Sequence, residues 1–442
     1  MRLFVHKPCS MVVSKVETKQ YATIRLGPRS LKVMSSWKPS RTGECSVSNR
    51  ETKLSNKWME YQGIKNWDGL LDPLDEDLRS EILRYGGFVE AAYRSFEFDK
   101  SSPGKYGTCR YGRDSLLTQC GLGGIGYKVT KNLRATSGIQ MPGWIDKTPS
   151  WVSTQSSWIG YVAVCTDKEE ISRLGRRDVV IALRGTVTCL EWMENLRVTL
   201  TTLSCKNEMD QSSSSSRAMV EQGFLSLYTS KMTTCPSLRD SVREEISRII
   251  QTYGDKEPLS FTITGHSLGA ALATLTAYDI SSTFKQLTTV ISFGGPRVGN
   301  KKFSENLERN GTRILRIVNS NDVITKVPGF VIKEDQHNIN TSDQKKKVKN
   351  GNQKLITTAS LAARLVPAWL QKHVENTQWL YADVGKELQL CCNNSNMVTC
   401  HDLKTYLDLV NCFVSSTCPL RATAKKVLCR RAQHDQQQLL LR

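Results

Sequence analysis

One run constrains this chain more than any other: Phe261-Thr262-Ile263-Thr264-Gly265-His266-Ser267-Leu268-Gly269-Ala270-Ala271-Leu272-Ala273. The first part reads as a strand and the Ala- and Leu-rich part as a helix. A serine at the tip of such a strand sits in a sharp, strained turn. The residues two before and two after it crowd the backbone, which asks for Gly265 and Gly269. Small alanines let the helix lie close to the sheet. The helix N-terminus turns its N–H groups toward any negative charge that develops at the turn. G-x-S-x-G alone is a common accident, but between a strand and a helix it reads as a serine displayed for attack.

The surrounding pattern has the same character. Trp158–Cys165, Asp178–Arg184, Leu259–Ile263, Val290–Phe293 and Ile314–Val318 are apolar enough for buried strands. Helical patterns fall between them at Pro236–Tyr253, Ala270–Ile280 and Lys301–Glu308. This alternation predicts an α/β fold with a mainly parallel central sheet and helices on both faces. Upstream, order is expected from about Trp58, and the spacing predicts a helical stretch over 64–97, interrupted at Gly86-Gly87. Residues 98–150, rich in Gly, Pro and Ser, read as irregular.

The chain has 442 residues and a net charge of +19. A basic surface suits an anionic membrane face. Nucleic acid is the competing partner, but no nucleic-acid-binding motif is present and the aromatics do not interleave with the basic residues. No apolar run approaches a membrane span, so peripheral contact is expected. Residues 1–50 hold eight Ser and ten Lys or Arg but no Asp, the composition of an organelle transit peptide; a basic disordered tail is the alternative. None of the fourteen cysteines has C-x-x-C spacing, so mostly free thiols are expected. One disulfide among Cys400, Cys412 and Cys418 stays open. The basic run Lys345–Lys349 reads as a solvated loop, with the more apolar Leu355–Leu370 beyond it, interrupted by Pro367, as a candidate for resting on lipid.

A displayed serine needs a base, and the base an orienting acid; in this fold class they follow in the order serine, acid, histidine. Of the six histidines, His6 lies in the N-terminal tail, and His266 adjoins the serine and suits packing or hydrogen bonding. His337 lies in the basic loop and His434 in a Gln-rich tail. His401, opening an apparent helix just past a loop, is preferred on position, with His373 second. Asp322 follows the Ile314–Val318 strand, where the loops of such a sheet carry function. Asp402 reads instead as a helix N-terminal charge. Thr186, at the end of the 178–184 strand, and Leu268 are candidate donors to an oxyanion. Thr186 reads equally well as an ordinary turn residue. Leu190, Trp192, Met193 and Leu196 form an amphipathic stripe that is either core or a lid opening at a lipid surface.

Leu183-Arg184-Gly185-Thr186, Gly265–Gly269 and Asn321-Asp322 resemble the class 3 lipases, an α/β-hydrolase family. Longer stretches are similar to plant plastid phospholipases A1 of the defective-in-anther-dehiscence type. These are Asn66–Leu74, Gly223–Tyr228, Phe293–Asn300, Val327–Gly329 and Cys400–Leu407. The likeness spans about residues 58–420. It implies that Ser267 is the nucleophile, Asp322 the acid and His401 the base. Thr186 and Leu268 then line the oxyanion hole, and 188–196 is the lid. It also implies hydrolysis of the sn-1 acyl ester of phospholipids without a metal or other cofactor. Galactolipids or triacylglycerols are alternative substrates, and some members release fatty acid for jasmonate synthesis. An inactive, lipase-like scaffold is the rival from another class, disfavoured by the full set of residues. The expected organisation is a plastid transit peptide or disordered leader over 1–55, a hydrolase domain over 56–420 and a basic, Gln-rich tail over 421–442. The chain departs from the resemblance at Cys412, where Gly is expected, which bears on local packing more than on chemistry.

Overall fold

The apolar runs pair into one twisted layer. In the computed structural model the described residues are 47–99, 105–136, 156–186, 199–203, 217–233, 235–328, 381–392 and 396–415. The strands are β1 (Tyr127–Thr136), β2 (Ser156–Cys165), β3 (Arg177–Leu183), β4 (Leu200–Thr202), β5 (Met219–Glu221), β6 (Leu259–His266), β7 (Leu287–Phe293), β8 (Arg313–Asn319) and β9 (Lys386–Leu390). The helices are α1 (Val47–Tyr61), α2 (Glu76–Ser95), α3 (Leu116–Gln119), α4 (Lys168–Leu174), α5 (Gln222–Thr229), α6 (Leu238–Tyr253), α7 (Leu268–Thr283), α8 (Lys301–Arg309), α9 (Met397–His401) and α10 (Leu403–Asn411).

Seven strands form the main sheet in the order β1-β2-β3-β6-β7-β8-β9. β3, β6, β7, β8 and β9 run parallel, and β1 and β2 extend the sheet antiparallel. Period-two alternation sends Val179, Ile181 and Leu183 to one face and Val180 and Ala182 to the other. Each face then has its own core. One packs α2 and α10 against the sheet, through residues such as Ile82, Phe88, Phe293 and Tyr406. The other packs α5, α6, α7 and α8, with Phe224, Ile246, Leu272 and Phe303. Both faces being covered is why these strands are continuous apolar runs.

Three expectations are corrected. The helical stretch 64–97 is a helix only from Glu76, where the Asp75 side chain accepts from the N–H groups of Asp77 and Leu78. Residues ahead of it form turns that bury Trp67, whose indole N–H donates to the Tyr61 carbonyl at 2.9 Å. The Gly86-Gly87 pair does not break α2. A Cβ on Gly86 would lie 2.2 Å from the Leu407 side chain, so the missing side chain lets α10 pack close. The 98–150 stretch is not wholly irregular, because it contains β1.

At the end of the parallel strands away from Ser267, a buried polar cluster ties α2 to the sheet. Asp178 accepts from Tyr85, Tyr127 and Ser260 at 2.9–3.1 Å. Arg84 pairs with Glu81 at 2.6 Å. Burial alone would raise the Glu81 pKa, but Arg84 and then Arg176 outweigh it and hold it at about 2.

Candidate active site

β6 runs into α7 through Ser267, which has φ 58° and ψ −126°. A non-glycine residue adopts this backbone only where its surroundings hold it, at a cost of about 1–3 kcal/mol. The Ser267 N–H donates to the Phe293 carbonyl at the tip of β7, at 3.0 Å. A Cβ on Gly265 would lie 2.4 Å from the Gly269 backbone, and one on Gly269 2.3 Å from the Leu183 carbonyl. Side chains at either position would push α7 off the sheet, the crowding the sequence spacing requires.

Asp322 lies beyond the end of β8 and caps a short 3-10 turn, Val323–Lys326. It is fully buried. Its Oδ1 accepts from the Ile324 N–H at 2.9 Å. Its Oδ2 accepts from His401 Nδ1 and from the Tyr406 hydroxyl, each at 2.6 Å. Donation to a carboxylate puts the His401 proton on Nδ1 and turns Nε2 into the basic nitrogen. His401 ends α9 rather than opening the next helix; the exposed Asp402 stands between it and α10.

His266, next to Ser267 in the chain, also contacts His401. Its Nε2 donates to the His401 carbonyl at 2.7 Å, and the two rings lie 4.7 Å apart between centroids. A carbonyl only accepts, so the proton is on Nε2 and Nδ1 must accept. It does so from the Tyr93 hydroxyl at 2.8 Å, whose oxygen accepts the Gly185 N–H, also at 2.8 Å. Burial, reinforced by the neighbouring His401, lowers the His266 pKa well below 6.5, which keeps the ring neutral. A relay of hydrogen bonds therefore joins the loop after β3 to the segment carrying His401.

That loop approaches the serine closely. A Cβ on Gly185 would lie 2.9 Å from Ser267 Cβ and 2.8 Å from the His266 carbonyl. The next residue, Thr186, has a buried hydroxyl with no hydrogen-bond partner among the described residues. Such an orphan suits a group that waits for a ligand oxygen. Leu268 opens α7, where helix geometry leaves N–H groups for an external acceptor.

The structure thus gathers Ser267, Asp322 and His401 with Gly265, Gly269, Leu268 and Thr186. Leu190, Trp192, Met193, Leu196 and His373 lie outside the described residues. Three contributors escaped the sequence reading. Tyr93 was only one apolar position in a helical row, Tyr406 only part of the Cys400–Leu407 stretch, and Asn319 only a strand end. Asn319 donates from Nδ2 to the Cys400 carbonyl at 2.9 Å, and its N–H donates to the Tyr406 hydroxyl at 3.2 Å. Among the described residues no cluster of His, Cys, Asp and Glu could hold a metal, and no helix is long and apolar enough to cross a membrane.

A parallel sheet ending in this elbow, with an Asp beyond the end of β8 bonded to a His at the end of α9, defines an α/β-hydrolase. Residues 180–332 match the family model for lipase (class 3). Over 393 residues the chain is 60% identical to phospholipase A(1) DAD1, a chloroplast protein of Arabidopsis thaliana, spanning 87% of this chain and 82% of that one. The Arabidopsis thaliana chloroplast protein phospholipase A1-Igamma2 is 38% identical over 82% of this chain and 67% of its own length. The galactolipase DONGLE, also a chloroplast protein of that plant, is 37% identical over 81% and 70%. The chain belongs to the class 3 lipases, in the branch that holds the plant phospholipases A1. It is a carboxylic ester hydrolase.

Proposed function

We propose that this chain is a phospholipase A1, releasing the sn-1 fatty acid from phosphatidylcholine-type glycerolipids through Ser267, His401 and Asp322. The observation that carries the reading is the 2.6 Å contact between His401 Nδ1 and Asp322, in a segment tied through His266 to the strained serine. His401 Nε2 takes the Ser267 proton as Oγ attacks the ester carbonyl. The developing oxyanion meets the N–H groups of Leu268 and Thr186 and the Thr186 hydroxyl. The lysolipid leaves with the proton from His401, and the same imidazole then activates water to release the fatty acid.

Identity of 60% to a phospholipase A(1) supports the phospholipid head group. The 37% identity to a galactolipase keeps galactolipid as the second reading. The chain works in the chloroplast, the compartment of these relatives. Its +19 charge supports peripheral contact with anionic lipid, and Leu190, Trp192, Met193 and Leu196 form the lid. The organisation is a leader over 1–55, the hydrolase over 56–420 and a tail over 421–442. Hydrolysis of phosphatidylcholine and monogalactosyldiacylglycerol, each labelled separately at sn-1 and sn-2, tests the assignment. Release of sn-1 label chiefly from phosphatidylcholine is expected. Preferential release of sn-2 label, or faster galactolipid turnover, would overturn it.

A further inference from the structure

Two buried thiols lie against each other, one of them immediately before His401. Cys392 follows β9 by two residues, and Cys400 is the penultimate residue of α9. Their Sγ atoms are 3.1 Å apart. A disulfide holds its sulfurs about 2.05 Å apart, so closing the pair needs movement of only about 1 Å. Asn319 sets the approach. Its Nδ2 donates to Cys392 Sγ at 3.2 Å and to the Cys400 carbonyl at 2.9 Å, and its Oδ1 accepts the Cys392 N–H at 3.3 Å. One side chain at the end of β8 thus orients both cysteines.

We propose that Cys392 and Cys400 are an oxidisable dithiol, a modification site whose disulfide form clips the segment carrying His401 to the end of β9. The oxidant is a peroxide. The Cys392 sulfur attacks one peroxide oxygen and the O–O bond breaks, giving a sulfenic acid and one water. The Cys400 sulfur then displaces the sulfenic hydroxyl, which leaves as a second water with the Cys400 proton. Two thiols lose two electrons and the peroxide gains them. A dithiol reductant reverses the bond by thiol–disulfide exchange. Cys392 is 7% exposed and Cys400 1%, which makes Cys392 the first to react. Burial pushes the Cys400 thiol up to about 12, which disfavours its thiolate and so its own attack on peroxide. The bond closes a short loop over 392–400 and restrains motion of His401 away from Asp322.

The test treats the purified full chain with hydrogen peroxide, alkylates remaining thiols under denaturing conditions and maps peptides without reductant. A Cys392–Cys400 link, two hydrogens lighter than the thiols and removed by dithiothreitol, is expected. It should be absent from Cys392→Ser and Cys400→Ser. The oxidised wild type should lose esterase activity on heating about threefold more slowly than the reduced form, a difference that Cys400→Ser abolishes. Alkylation of both thiols after the exposed Cys391 has been oxidised would overturn the proposal. So would a Cys391–Cys392 link, or equal heat inactivation of oxidised and reduced wild type. If the serine variants fail to fold, the wild-type map and its heat-inactivation pair decide alone.

Discussion

Replacing Tyr93 with Phe removes one oxygen and leaves the ring in place. That oxygen accepts the Gly185 N–H and donates to His266 Nδ1, both at 2.8 Å. A buried N–H left without a partner costs about 1–3 kcal/mol, and the lost O–H···N bond about 1 kcal/mol more. The variant should therefore be less stable by about 2–4 kcal/mol. Gly185 packs on Ser267 and precedes Thr186, so part of this loss should reach the transition state rather than the resting enzyme. If about 1–2 kcal/mol does so, kcat/KM falls about 5- to 30-fold. The fall should lie in kcat, because Tyr93 acts through the loop of Gly185 and Thr186, proposed to bind the oxyanion, while KM follows the lipid contacts. Urea unfolding combined with steady-state hydrolysis of a soluble short-chain p-nitrophenyl ester measures both quantities. A variant that loses the expected stability but keeps kcat within twofold would reduce the relay to a structural strut. One that keeps its stability as well would refute the hydrogen-bond account altogether.

Other perturbations probe separate links. Ser267→Gly should abolish ester hydrolysis and stabilise the fold by about 1 kcal/mol, because glycine relieves the strain at φ 58°; urea denaturation reads the gain, and a loss of stability would count against the strain. Asp322→Asn should lower kcat by about three to four orders of magnitude through the wrong His401 tautomer, with circular dichroism unchanged; a loss under tenfold would remove Asp322 from the site. Glu81 has its folded pKa depressed to about 2. Its contribution, about 3 kcal/mol, is fully present above its unfolded pKa and is lost as pH falls from there through about 2. Unfolding followed between pH 5 and 2 should show a shallower acid loss in Glu81→Gln, and identical slopes would contradict the assignment.

The inner strands of the sheet were legible because strands buried on both faces must be apolar throughout, as in β3, where all seven residues are buried. The edges were not. β1 carries Lys128, Lys131, Asn132 and Arg134, and β9 reads Lys386-Glu387-Leu388-Gln389-Leu390. Edge strands carry charge to discourage further pairing, which erases the apolar signal. The turns before α2 imitated a helix because Leu70, Leu71 and Leu74 chance on helical spacing while packing from turns. In the site, Ser267 was readable from local crowding, since the elbow's constraints fall within five residues. Asp322 and His401 were chosen by chain order and strand position, and their contact joins residues 79 apart. Tyr93 and Tyr406 hold their partners across 173 and 84 residues, contacts that leave no local pattern.

The central claim is that Ser267 is the nucleophile that His401 and Asp322 activate. A fluorophosphonate probe with peptide mapping tests it most directly. Wild type should take up one equivalent, on the peptide containing Ser267, with activity lost in proportion. His401→Ala, confirmed folded, should label at least a hundredfold more slowly. Labelling at another residue, undiminished activity after full labelling, or equal rates in wild type and His401→Ala would contradict the account.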